Sequence, residues 1–100
     1  MTELQHYFCL LTPARPDMHG NLSPSEQELF GAHCEYLRHH FDEKRVLQAG
    51  TSFEAGEEGF AIVILAAPDK TAATTLMAND PAVAAGLLTM RVTEYDTFLG

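Results

Sequence analysis

This 100-residue chain has no basic cluster, no long apolar run and no framework of cysteines, and each absence removes a class of function. Six Lys plus Arg stand against fourteen Asp plus Glu, a formal charge of −8, so phosphate backbones and anionic lipid surfaces would be repelled. Neither nucleic acid nor membrane is an expected partner. No stretch approaches the roughly 20 apolar residues that span a bilayer, and the opening Met1-Thr-Glu-Leu-Gln-His lacks the basic start of an export signal. A soluble, cytoplasmic protein is the expectation.

Only two cysteines are present, so a disulfide scaffold is not expected. Cys9 sits inside an apolar run, and helical spacing places Cys34 on a core-facing stripe. Both read as small buried hydrophobes with free thiols, neither as an activated nucleophile. A phosphate-cradling loop is also missing: Gly56 and Gly59 lie among Glu54, Glu57 and Glu58, which would repel a nucleotide. His39 and His40 are adjacent and point about 100° apart on a helix, so they cannot share a metal, and no histidine pair at i, i+4 replaces them. No cofactor and no metal are expected.

What remains is enough for one domain, residues 1–100, with a single core. Tyr7-Phe-Cys-Leu-Leu11 is a continuous apolar, β-favouring run, stopped by Pro13 and Pro16. The segment from Pro13 to Leu22, with Arg15, Asp17, His19 and Gly20 among its prolines, reads as an exposed loop placed to lie over a site. Ser23-Pro24-Ser25-Glu26 then carries three agreeing helix-start signals: a Ser cap, Pro at the first helical position and Glu closing the capping box. The helix runs to about Asp42 with Phe30, Cys34, Leu37 and Phe41 as its core stripe. Leu29, His33, Tyr36 and His40 form a second, flanking stripe, from which a side chain reaches a cleft between helix and sheet.

Val46 to Phe53 and Phe60 to Ala67 read as antiparallel strands joined by a polar, glycine-containing hairpin. Pro68-Asp69 opens a shorter helix through about Ala78, which Pro81 terminates. Leu87 to Tyr95 is the last strand, with Leu88, Met90 and Val92 on one face and Thr89, Arg91 and Thr93 on the other. Strand, helix, strand, twice over, with right-handed crossovers, gives an α+β, ferredoxin-like βαββαβ fold: a four-stranded antiparallel sheet with its helices on one face. The other face is left bare and apolar, so a homodimer or larger even oligomer is expected, with sheets packed face to face or joined edge to edge.

His33 and Asp80 occupy corresponding places in the two halves. A carboxylate bonded to one imidazole nitrogen fixes the tautomer and raises the basicity of the other, which makes this pair a candidate catalytic dyad. Equally, His33 fits a hydrogen-bonded core position and Asp80 a helix terminator before Pro81. Tyr36 and His40 are candidate substrate-binding residues or amphipathic edge residues. Arg91 is a holder for an anionic substrate group or part of a surface ion pair.

Tyr7-Phe-Cys-Leu-Leu11, His33-Cys-Glu-Tyr36-Leu37, Val46-Leu-Gln-Ala-Gly50, Asn79-Asp80-Pro81 and Ala85-Gly86-Leu87, in this order and spacing, resemble the YciI-like (YCII-related) proteins. That family belongs to the dimeric α+β barrels, with the muconolactone isomerases and small monooxygenases. The resemblance implies a small-molecule pocket in each subunit of a dimer, with His33 and Asp80 matching the family's His and Asp. It also implies cofactor-independent elimination or isomerisation of a small cyclic or anionic metabolite. A non-catalytic ligand-binding dimer and a purely structural association domain are the alternatives. Thr51 and Ala82 depart from the family's usual Pro and larger residue at these places.

Overall fold

The computed structural model describes residues 4–15, 20–52 and 59–99. Strand β1 (Gln5–Pro13) is followed by helix α1 (Pro24–Asp42), strands β2 (Val46–Ser52) and β3 (Phe60–Ala67), helices α2 (Lys70–Ala78) and α3 (Pro81–Ala84), and strand β4 (Leu88–Glu94). The strands form one antiparallel sheet in the order β2-β3-β1-β4. Long, β-branched and aromatic runs fill its two central strands, where both neighbours satisfy the backbone. The fold is α+β and ferredoxin-like, as the element order predicts.

Register fixes which side chains share a face. Tyr7, Cys9 and Leu11 of β1 stand beside Leu65, Val63 and Ala61 of β3 and beside Glu94, Val92 and Met90 of β4. This face packs on the helices, in a cluster that includes Met77 and Ala73 of α2 and Leu37 of α1. Burying side chains such as Leu11, Leu65 and Met77, which are almost wholly excluded from solvent, contributes about 1.5–3 kcal/mol each. The opposite pleat carries Phe8, Leu10 and Ile62, only half covered within one chain.

Helix α1 begins as its sequence dictates. Glu26 N–H donates to Ser23 Oγ at 3.2 Å, and Ser23 N–H donates to Glu26 Oε1 at 2.9 Å. At its far end, Lys44 N–H donates to the Phe41 carbonyl and Arg45 N–H to the His40 carbonyl, the pair of bonds that closes a helix through a left-handed residue. Lys44, at φ 64°, holds the place usually given to glycine.

Three expectations need correction. Cys34 and Phe41 are exposed, while His33 and Leu37 are the buried residues of α1. The helix is therefore turned by roughly 50° from the expected stripe, bringing the His33 side toward the sheet. The second helix also does not simply stop at Pro81: α2 ends at Ala78, and Asp80-Pro81 starts α3. Pro at a first helical position lacks only an N–H that has no partner there in any case. Third, the last strand begins at Leu88 and ends at Glu94, one residue inside the expected bounds at each end. The pairing of β2 with β3 is as expected, whereas residues 53–58 of their connection lie outside the described residues, as do Asp17 and His19.

Candidate active site

Asp80 is completely buried at the junction of α2 and α3. Its Oδ2 accepts the backbone N–H groups of Ala82 and Val83, both at 3.1 Å, which caps α3. Its Oδ1 lies 2.7 Å from Nδ1 of His33, a residue 8% exposed in the middle of α1. A buried carboxylate needs such a set of donors. With Nδ1–H donating to Oδ1, the free electron pair of the imidazole is on Nε2. Nε2 has no partner among the described residues, yet no buried side-chain nitrogen or oxygen among them is unsatisfied. Nε2 therefore opens onto accessible space.

That space is a cavity of about 310 Å³ whose walls include His33. Leu11 and Leu88 of the helix-covered sheet face form its floor, Phe30 and Cys34 of α1 one wall, and Leu22 and Thr51 parts of its rim. The Phe30 ring meets the His33 ring edge to face, with centroids 6.0 Å apart. Pro13 and Gly20, at either end of residues 14–19, also line the cavity. The helix start is tied to this loop: Arg15 pairs with both Glu26 oxygens and donates to the Asn21 carbonyl. Arg15, followed by the Ser23 N–H, holds the Glu26 carboxyl down at about 2.

Of the five residues singled out in the sequence, the fold joins His33 to Asp80 and keeps the other three apart from the cavity. Tyr36 donates its hydroxyl to the Leu76 carbonyl at 2.7 Å, tying α1 to the end of α2 just before Asp80. Burial, and then the Asp80 charge, push its phenol up. His40 accepts from Arg45 Nε at 2.8 Å and packs against the Tyr36 ring. Burial, followed by the Arg45 and His39 charges, pushes its imidazole down. Arg91 is exposed and pairs with Leu10 in the register, on the sheet face away from the cavity. Phe30 and Cys34 were not seen as site residues. Their signal is spacing, one turn before His33 and directly after it, and it is readable only once the rotation of α1 is known. Among the described residues no three His, Cys, Asp or Glu side chains are grouped to hold a metal ion, and no helix is long and apolar enough to cross a membrane.

The fold is a ferredoxin-like α+β domain, with the His33–Asp80 pair beside a cavity. Residues 6–96 match the model of the YCII-related domain, and the chain belongs to that family. Among solved structures it is similar to the 5-chloro-2-hydroxyhydroquinone dehydrochlorinase of Burkholderia phenoliruptrix AC1100, in complex with 2,5-dihydroxybenzoquinone. The TM-score is 0.67 at 20% identity, over 90% of this chain and 93% of that one. An uncharacterized protein of Thermotoga maritima is similar with a TM-score of 0.53 at 13% identity, over 94% of this chain and all of that one. A search of the curated proteins found no match.

Proposed function

We propose that this protein is a cofactor-independent enzyme that moves a proton on a small cyclic metabolite, with His33 as the base and acid and Asp80 as its orienting partner. The observation that carries this reading is the 2.7 Å contact of His33 Nδ1 with a fully buried Asp80, with Nε2 left open to the cavity. Asp80 holds the ring so that Nε2 faces the ligand and offsets the positive charge that forms when Nε2 takes a proton. Elimination or isomerisation beside a carbonyl needs only this: a proton removed at one atom and returned, or a leaving group expelled, at another. The fold neighbour whose structure holds a dihydroxybenzoquinone supports a ring-sized ligand. Tyr36, His40 and Arg91 are left out of the substrate contacts, because each is engaged or placed elsewhere.

The same reading includes a second copy of the chain on the open sheet face. Phe8, Leu10, Ile62 and the 44%-exposed Phe60 form an apolar surface there, with Tyr95 stacked on Phe8. A patch of several hundred Å², roughly what these side chains offer, exceeds what a monomer ordinarily leaves in water.

The test uses 5-chloro-2-hydroxyhydroquinone as probe and chloride release as readout. His33→Asn is expected to lower the rate by about 10²–10⁴-fold while leaving the fold intact. Equal turnover by the variant would remove His33 from the chemistry and favour a binding role for the cavity.

A further inference from the structure

Resting on the reading of His33 and the cavity as a proton-transfer site, we propose that its substrate is an uncharged ring bearing an ionisable hydroxyl, a phenol or enol, and that the site rejects carboxylates. The six Lys and Arg residues of the chain are Arg15, Arg38, Lys44, Arg45, Lys70 and Arg91. All six are described, and none lines the cavity. Arg15 is taken up by Glu26 and Asn21, Arg45 by His40, and Arg91 points from the other face of the sheet. In the sequence, residues 16–19 and 53–58, which are outside the described residues, contain neither Lys nor Arg, and the second stretch contains Glu54, Glu57 and Glu58.

Among the described residues, the polar side chains that line the cavity are His33, Cys34 and Thr51, and the other lining residues are apolar. A carboxylate brought here would lose its hydration with no cation to receive it, at large cost. The wall behind His33 already holds one buried negative charge, that of Asp80. One developing oxyanion is tolerable because it arises together with the imidazolium. The hydroxyl O–H bond breaks, the proton joins Nε2, and the electron pair stays on the ring oxygen, leaving one net negative charge among substrate, His33 and Asp80. A ring that also carries a carboxylate would leave two. Size agrees, since about 310 Å³ is at the low end for small-molecule sites, and Phe30 lines the cavity as an aromatic neighbour for a ring.

The experiment compares hydroquinone with 4-hydroxybenzoate, the same ring with one hydroxyl replaced by a carboxylate. Dissociation constants come from calorimetry on the intact protein, and Phe30 and Cys34 resonances report binding in the cavity. Hydroquinone is expected to bind at least about tenfold more tightly. Thr51→Arg, which puts a cation on the rim, is expected to shrink that ratio at least about fivefold. Equal or tighter binding of 4-hydroxybenzoate to the wild-type protein overturns the proposal and leaves the dyad standing. If neither probe shifts the cavity resonances, the proposal and the cavity's role as a ligand site fall together. The dyad itself is judged by the His33→Asn rate, which does not enter the ratio.

Discussion

The two faces of the sheet are built from alternate residues of the same strands, yet they have opposite characters. On the covered face, Tyr7, Cys9 and Leu11 are buried against helices, and the buried Asp80 carboxylate has its donors. On the open face Phe8, Leu10 and Ile62 are half exposed and Arg91 has no ion-pair partner among the described residues. A buried polar pair is maintained where water is excluded by packing within the chain, because there an unpaired charge is costly. An apolar surface left open invites association. In the proposed reading, chemistry and assembly lie on opposite sides of one β-sheet.

Removing the polar pair should show the largest effect. Asp80→Ala uncaps α3 and strands the His33 N–H, and should lower stability by about 2–4 kcal/mol in denaturant unfolding. Asp80→Asn keeps an oxygen for the Ala82 and Val83 N–H groups but presents an amide to Nδ1, so it should reduce activity far more than stability. If both variants unfold alike and the Asn variant is active, the pair serves the core and not the reaction. On the open face, Leu10→Glu is expected to convert a dimer to a folded monomer in light scattering, with little change in the monomer's own unfolding. An unchanged mass would show that this face does not associate.

The cysteines sharpen the same contrast. Cys9 is wholly buried on the covered face, and burial pushes its thiol up to about 11, whereas Cys34 is exposed at the cavity wall. Maleimide should label Cys34 alone in the folded protein and block hydroquinone binding. Labelling of Cys9 at a similar rate would mean that the core opens readily.

The smallest effect concerns the start of α1. Glu26 titrates near 2 instead of its ordinary 4.5, so the folded state favours its charged form. That contribution is complete above the ordinary value and is lost as pH falls toward 2. Glu26→Gln should therefore flatten the acid loss of stability in this window slightly, since the Arg15 pairing is only partly shielded from water. No difference between the two acid-unfolding curves would show that the Arg15–Glu26 tie is energetically silent.

The fold was legible because its signals agree with one another: a complete capping box at Ser23, prolines at strand and helix limits, and β-favouring runs of the right length. Both partners of the dyad were legible too, His33 by its flanking stripe and Asp80 by its place before Pro81. The cavity walls were not. The stripe Phe30, Cys34, Leu37, Phe41 is more apolar than the one holding His33, so a reading by hydrophobicity turns the helix too far and buries Cys34. The structure turns it back because the buried imidazole has a carboxylate to meet. Likewise Tyr36 and His40 share the His33 stripe, but their polar atoms are taken up locally, by the Leu76 carbonyl and Arg45. Such pairings depend on α2 and the α1 terminus, which periodicity along one helix does not encode.

The most direct measurement is the nitrogen NMR spectrum of the His33 ring, with and without hydroquinone. The account predicts a protonated Nδ1 and a bare Nε2 in the free protein, a shift of Nε2 on ligand binding, and loss of this tautomer in Asp80→Asn. A protonated Nε2 in the free protein, or an Nε2 signal indifferent to ligand and to Asp80→Asn, would contradict it.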